Sequence, residues 1–272
     1  MTIKKFDRQQ YVTNFKKLER LNTICIAANC PNRYECFANK TATFLILGDV
    51  CTRSCKYCNV KTGIPSAPNN NEIDEIITVI STFNLQYVVI TQVTRDDLED
   101  GGASFFVAVI NQIRERFPKI KIEVLISDLG GDWSALEKII NARPDVLNHN
   151  IEVVSAYFKK LRPEGNYERS LTLLQKANDA KIITKSGLMV GFGESEKEIK
   201  KTMQDLLGVG VQILTIGQYL SPNSNSARLE KKYSVEEFEK LEKLGLRLGF
   251  RKVVAGSLVR SSYLAREVVD EL

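Results

Sequence analysis

All six cysteines of the chain fall between Cys25 and Cys58, in two triplets, and none follows before Leu272. The later triplet, Cys51, Cys55 and Cys58, reads C-T-R-S-C-K-Y-C; the earlier one, Cys25, Cys30 and Cys36, is spaced C-x4-C-x5-C. Clustered thiolates suit a soft metal, either zinc or an iron–sulfur cluster. A structural zinc site closes with four ligands, and the one histidine, His149, lies far along the chain. A four-iron cluster held by three cysteines instead leaves one iron open to a small molecule. Two odd-numbered sets point to two metal centres, each with one position for something other than cysteine.

Such centres need a scaffold. From residue 41 onward, apolar β-type runs alternate with amphipathic helical stretches. The strand candidates are Thr41–Leu47, Tyr87–Thr91, Lys121–Ile126, Val146–His149, Ile182–Val190, Val211–Gly217 and Lys252–Ala255. Between them Ile73, Ile76, Ile77 and Ile80 recur at helical spacing, as do Phe106, Val109, Ile110, Ile113 and Phe117. Ser234 and Glu237 form a capping box ahead of Phe238 and Leu241. Uncharged strands alternating with helices imply parallel strands covered on both faces. The unusual residues follow the predicted strands: the cysteine loop, TQVTRDD, HNIE and GFGES. This is where a barrel gathers its functional groups, so a partial barrel is expected over a doubly wound sheet.

With 272 residues and 43% hydrophobic content, the chain is long enough for a full core. Its charge of +5 is a mild basic excess, read as an ordinary charged surface or as steering toward an acidic macromolecule. Clustered basic and aromatic residues of a nucleic-acid face are not evident. No run of 18 apolar residues marks a membrane span, and the first residues lack the apolar centre of a secretory signal. A reducing cytosol is the expected compartment, where clustered cysteines bind metal more often than they pair.

The CxxxCxxC spacing with Tyr57 before the last cysteine resembles the radical S-adenosylmethionine superfamily. The context C-I-A-A-N-C-P-N-R-Y-E-C is similar to the second-cluster motif of the lipoyl synthases. So are G-D-V-C-T-R-S-C, T-Q-V-T-R-D-D-L-E-D-G-G-A, N-H-N-I-E, K-S-G-L-M-V-G-F-G-E, G-Q-Y-L-S-P and V-R-S-S-Y, across residues 20 to 266. The resemblance implies an α/β fold, a partial (β/α)6 TIM-type barrel over 41–220. An extension at 1–40 would carry the auxiliary-cluster cysteines, and one at 221–272 the R-S-S-Y motif. It implies that Cys51, Cys55 and Cys58 hold the four-iron, four-sulfur cluster that reductively cleaves S-adenosylmethionine to a 5′-deoxyadenosyl radical. Cys25, Cys30, Cys36 and Ser262 would hold a second such cluster, consumed as sulfur donor; a serine oxygen is a poorer iron ligand than thiolate, so Ser262 is a point of release. The implied reaction inserts sulfur at carbons 6 and 8 of a protein-bound octanoyl-lysine. Implied partners are octanoylated carrier domains (the 2-oxoacid dehydrogenase E2 component or the glycine-cleavage H protein), an electron donor such as ferredoxin or flavodoxin, and an iron–sulfur carrier that rebuilds the spent cluster. No nucleic acid or membrane is implied, and a monomer is the default.

Other positions are read less sharply. Tyr57, Thr91, Asn148, Asn150, Glu152, Gly191 and Gly193 are the candidate S-adenosylmethionine contacts. Asn148, Asn150 and Glu152 share a face if the strand continues, with helix capping as the plainer reading; Gly191 and Gly193 permit close approach to a ligand or simply form a turn. His149 is a ligand-side group or a hydrogen-bonded core histidine. Arg95, Asp96 and Asp97 read as functional or as an ordinary loop salt bridge. Arg33, Arg260 and Arg266 are candidates for guiding an acidic substrate, and Arg228–Lys243 reads as a solvated helix face. The chain departs from the resemblance at Gln92, Tyr57–Asn59, the segment S-P-N-S-N-S-A-R-L-E and Leu264. A biotin-synthase-like insertase would need cluster ligands in the barrel strands, where no cysteine occurs; a zinc-stabilised binding module is the remaining alternative.

Overall fold

The computed structural model describes Asn32, Glu35, Cys36 and residues 39–271. Cys25, Cys30 and Arg33 lie outside the described residues. Seven strands form one parallel sheet: β1 (Thr41–Ile46), β4 (Tyr87–Gln92), β5 (Lys121–Leu125), β6 (Val146–Asn148), β7 (Ile183–Val190), β8 (Ile213–Gln218) and β9 (Lys252–Gly256). Two short strands, β2 (Val50–Cys51) and β3 (Lys61–Thr62), pair across the cysteine loop. The sheet order follows the chain order from β1 to β9. A doubly wound sheet reverses direction at a switch point; this one does not, so it is the singly wound, barrel-like arrangement. Among the described residues no pairing joins β9 back to β1, and the barrel is partial. All seven strand candidates are present, and the last, β9, pairs onto the six of 41–220 although it lies in the stretch read as a C-terminal extension.

Eight helices are described: α1 (Asn71–Phe83), α2 (Ala103–Arg116), α3 (Trp133–Asn141), α4 (Ser155–Leu161), α5 (Tyr167–Asp179), α6 (Glu196–Gly208), α7 (Val235–Leu248) and α8 (Ala265–Asp270). Their periodic apolar faces bury on the outer side of the sheet: Ile76, Ile80, Phe106 and Ile110 share one cluster with Val88, Ile90, Ile122 and Val124. Capping boxes start α6 (Ser195, Glu198) and α7 (Ser234, Glu237). None of the described helices is long and apolar enough to cross a membrane.

Strand alternation sends the other residues inward. Tyr87, Val89, Val146 and Ile213 pack against Ala265, Val268 and Val269 of α8, so the end of the chain fills the inside of the curved sheet. Lys121–Asp270 and Lys252–Glu271 pair its last residues to the starts of β5 and β9. The interior also holds a buried polar group: Glu123 accepts from Tyr87 (2.7 Å), Asn148 (2.9 Å) and Lys185 (3.1 Å). Desolvating the Lys185–Glu123 pair costs several kcal/mol, and the two extra donors on the carboxylate offset that cost.

Candidate active site

The cysteine loop leaves the mouth of the sheet after β1 and is anchored on every side. Arg53, between Cys51 and Cys55, is 6% exposed. Its Nε and Nη2 donate to Asp96, which follows β4, both at 2.7 Å, and Nη2 lies 2.6 Å from Asp128, which follows β5. Asp128 also pairs with Arg169 of α5 at 2.7 Å. Burial opposes the Asp128 charge, but Arg53, His149 and Arg169 outweigh it and bring the carboxyl down to about 2. Thr52 N donates to Thr94 O and Lys56 N to Leu161 O; Ser54 Oγ donates to Glu164 at 2.8 Å. Tyr219 Oη donates to Ala227 O, and Ala227 N to Lys56 O. The divergent segment after β8 therefore braces the loop between Cys55 and Cys58.

Asp96 is thus no ordinary surface partner. Arg95 is not either: 1% exposed, it holds Asp97 through two contacts of 2.9 Å and donates to the Leu47 and Ser66 carbonyls. It ties down both ends of the loop that contains the cysteines.

A cavity of about 570 Å³ opens above the inner face, and Cys51, Cys55, Tyr57 and Cys58 line one side. Cys36, Asn32 and the turn Arg260–Tyr263, with Ser262, line the same cavity. The two chain ends are clasped there: Asn32 Nδ2 donates to Leu258 O (2.6 Å) and Tyr263 Oη to Glu35 (3.1 Å). Cys51, Cys55 and Cys58 are free thiols. Amides of Arg53 and Val60 point at Cys51 Sγ and Cys58 Sγ, both at 3.4 Å. Burial pushes the Cys55 thiol up and the Cys58 thiol up to about 11. A metal must therefore displace their protons at neutral pH.

Thr91, Asn150 and Glu152 also line the cavity. The Thr91 hydroxyl is donated to Leu125 O at 3.1 Å. Asn150 Nδ2 donates to Glu152 at 3.1 Å, while its Oδ1 is buried without a partner. Glu152 holds a left-handed backbone at φ 68°, and burial raises its carboxyl. Asn148 lies on the same side but one layer deeper, bound to Glu123, and does not reach the cavity. Gly191 and Gly193 are also absent from its lining. They form a turn organised by Glu194, which accepts from Gly191 N and Phe192 N; a Cβ on Gly191 would stand 2.4 Å from Gln218 Nε2 and 2.8 Å from Lys231 O. The plainer reading, a glycine turn closely packed by its protein neighbours, describes these two.

Arg162 was not evident from sequence. It is 8% exposed, lines the cavity, and donates to the Asn150 and Ile151 carbonyls while Nε has no partner. Burial works against its charge, but Tyr57, Glu152 and Cys55 outweigh that and raise it. Its signal was only the R-P-E-G turn after α4, which spacing could not connect to Cys55. The unpartnered Asn150 Oδ1 and Arg162 Nε, beside Glu152 and free thiols, offer a cation, an anion and an acceptor within one cavity. That donor set fits an amino-acid-bearing cofactor next to a cysteine-held cluster. Gln92 lines the wall as well, donating to Ser127 Oγ at 3.1 Å. Arg260 faces the cavity, whereas Arg266 pairs with Asp270 on α8, beside Lys119 and Lys121 at the start of β5, away from the mouth.

His149 is the buried core histidine of the plainer reading. Nδ1 lies 2.9 Å from Ile126 O and Nε2 2.9 Å from Ser170 Oγ. A carbonyl only accepts, so the neutral ring donates from Nδ1. Burial, helped by Arg162, lowers the imidazole from 6.5 to about 4. Stability from this group is complete above pH 6.5 and declines as pH falls toward 4, because the unfolded chain takes the proton first; the gap corresponds to roughly 3 kcal/mol. Nitrogen-15 NMR of this single histidine should show a neutral Nδ1–H ring down to about pH 5; a midpoint near 6.5 would contradict its burial. Arg53→Ala should cost about 3–5 kcal/mol in chemical denaturation, because it leaves Asp128 buried with one partner fewer. Iron bound by the reconstituted protein should fall in parallel, and Asp128→Asn added to Arg53→Ala should recover part of the stability. Unchanged stability and iron content would mean that the clamp does not hold the loop.

Residues 45–206 match the radical SAM superfamily. The chain is 49% identical to a lipoyl synthase of Caldicellulosiruptor saccharolyticus over 249 residues, covering 91% of this chain and 87% of that one. It is 46% identical to a lipoyl synthase of Staphylococcus aureus over 273 residues, 98% and 90% of the two chains. Among solved structures, methylornithine synthase superposes with a TM-score of 0.61 at 16% identity, over 82% of this chain and 66% of that one, a likeness of fold alone. With identity of this order along nearly its whole length, the chain belongs to the lipoyl synthase family of the radical SAM superfamily.

Proposed function

We propose that the protein inserts two sulfur atoms, at carbons 6 and 8, into an octanoyl group carried on a lysine of a lipoyl-carrier protein. The observation that carries this reading is the convergence of Cys36 and Ser262 with Cys51, Cys55 and Cys58 on one cavity. A hydrogen-abstracting centre and a sulfur source must meet on the same substrate carbon, so they have to share a chamber. Once bound, two four-iron clusters and S-adenosylmethionine supply the electron, the abstracting radical and the sulfide.

The chain's own part is to bind and place. Cys51, Cys55 and Cys58 would hold the cluster that cleaves the cofactor, and Cys25, Cys30, Cys36 and Ser262 would hold the one that is spent. Arg162 would pair with a carboxylate of the cofactor, while Glu152 and Asn150 would accept its polar hydrogens. Leu45, Val60, Leu125, Ile126 and Leu220 give the cavity apolar walls, which suit an eight-carbon chain and exclude water from a reactive centre. The carrier is an octanoylated domain of a 2-oxoacid dehydrogenase E2 component or the glycine-cleavage H protein. Ferredoxin or flavodoxin supplies electrons, and an iron–sulfur carrier restores the consumed cluster.

The test is anaerobic incubation of the reconstituted protein with octanoylated carrier protein, S-adenosylmethionine and reductant, followed by intact-mass analysis. A two-sulfur mass gain on the carrier is expected. Cys36→Ala should still release 5′-deoxyadenosine while the lipoyl product falls to background. No sulfur gain from wild-type protein with both clusters verified would point to another substrate; full product from Cys36→Ala would remove the sulfur-donor role from the earlier triplet.

A further inference from the structure

Gly217 occupies an inward position one residue before the end of β8, paired with Met189 of β7 on one side and Gly256 of β9 on the other. Glycine weakens an interior strand and marks a close backbone approach when it is not needed for conformation. Gly217 is not among the positive-φ glycines, so conformation is not the reason. Space is. A Cβ on Gly217 would stand 2.4 Å from Val259 O, 3.4 Å from Val259 C and 3.5 Å from Arg260 Nη1. The obstacle is backbone of the C-terminal segment, which no rotamer change relieves.

That backbone leads into the turn that carries Ser262. Val259 is 6% exposed, its carbonyl accepts from its neighbour Arg260 Nη1 at 2.7 Å, and Tyr263 N closes the turn on Arg260 O at 2.9 Å. Leu258 O and Tyr263 Oη are the two points clasped to Asn32 and Glu35, on either side of that seat in sequence. We propose that Gly217 is a positioning residue for the second centre: its missing side chain seats Val259 and thereby sets Ser262 at the depth where it faces Cys36. The inference rests on the reading of Ser262 as a cluster ligand.

Magnitude makes the claim testable. Moving from a 2.4 Å approach to the 3.0 Å below which Cβ contacts essentially do not occur lifts the tail by at least ~0.6 Å. Metal ligands tolerate about 0.2 Å in bond length, and functional groups about 0.5 Å in placement. Gly256 provides the control in the adjoining strand: a Cβ there meets only Val259 Cγ2, at 3.2 Å, a side-chain methyl that yields by a small shift.

Gly217→Ala, Gly256→Ala and wild type would be compared in two states. In the cluster-free protein, hydrogen exchange of the 258–263 amides should rise about tenfold or more in Gly217→Ala and stay near wild type in Gly256→Ala. After anaerobic reconstitution, wild type and Gly256→Ala should hold about eight irons, and Gly217→Ala about four. The latter should still cleave S-adenosylmethionine. If Gly217→Ala loses global stability, one glycine inserted between Leu258 and Val259 displaces the same tail and leaves β8 intact, with the same loss of irons expected. Wild-type exchange and eight irons in Gly217→Ala or in the insertion variant would overturn the proposal alone. Wild-type protein that binds a single cluster would overturn the functional reading beneath it.

Discussion

The site depends on one guanidinium. Arg53 stands between the first two cysteines of the later triplet and spans two carboxylates that belong to different strand ends, Asp96 and Asp128. A planar, bidentate donor holds both geometry and charge, which a lysine in its place would not. Because Asp128 is itself held by Arg169, the loop is locked to β4, β5 and α5 together. Three thiols without such a frame would be a mobile loop. With it, they occupy a defined wall of the cavity.

The opposite wall is built by the two ends of the chain. Among the described residues no strand closes the sheet, and α8 fills its interior, so the tail crosses the mouth on its way inward. That path lays the Arg260–Tyr263 turn against the segment containing Cys36. Leu264, with φ 50°, turns the chain into α8 and packs against the interior cluster. The fold thereby brings Cys36 and Ser262, distant in sequence, to one cavity.

Some of this was legible beforehand because the physics is local. Three cysteines within eight residues can be read as one group from spacing alone, as Cys51, Cys55 and Cys58 on one cavity wall are, and the strand–helix alternation announced the parallel sheet. Ser262 came from motif resemblance, since a serine more than two hundred residues from Cys36 has no periodicity to betray it. Arg162 and the Arg53–Asp128 pair escaped for the same reason: their partners converge only through strand order. Asn148 followed the period-two rule correctly yet sits a layer too deep, because that rule gives the face and not the height. The glycines of GFGES looked like a ligand cradle, but Gln218 and Lys231 fill the space beside Gly191. Helix α4 and the small β2–β3 pair carry too few residues for a pattern to register.

The central claim is that two iron centres face each other across one cavity, the second closed by Ser262. Anomalous diffraction at the iron edge, from crystals of the anaerobically reconstituted protein, tests it directly. The account predicts two iron centres bordering the cavity, one bonded to Cys51, Cys55 and Cys58 and the other to Cys25, Cys30, Cys36 and Ser262. A single centre, or a second one remote from Ser262, would contradict it.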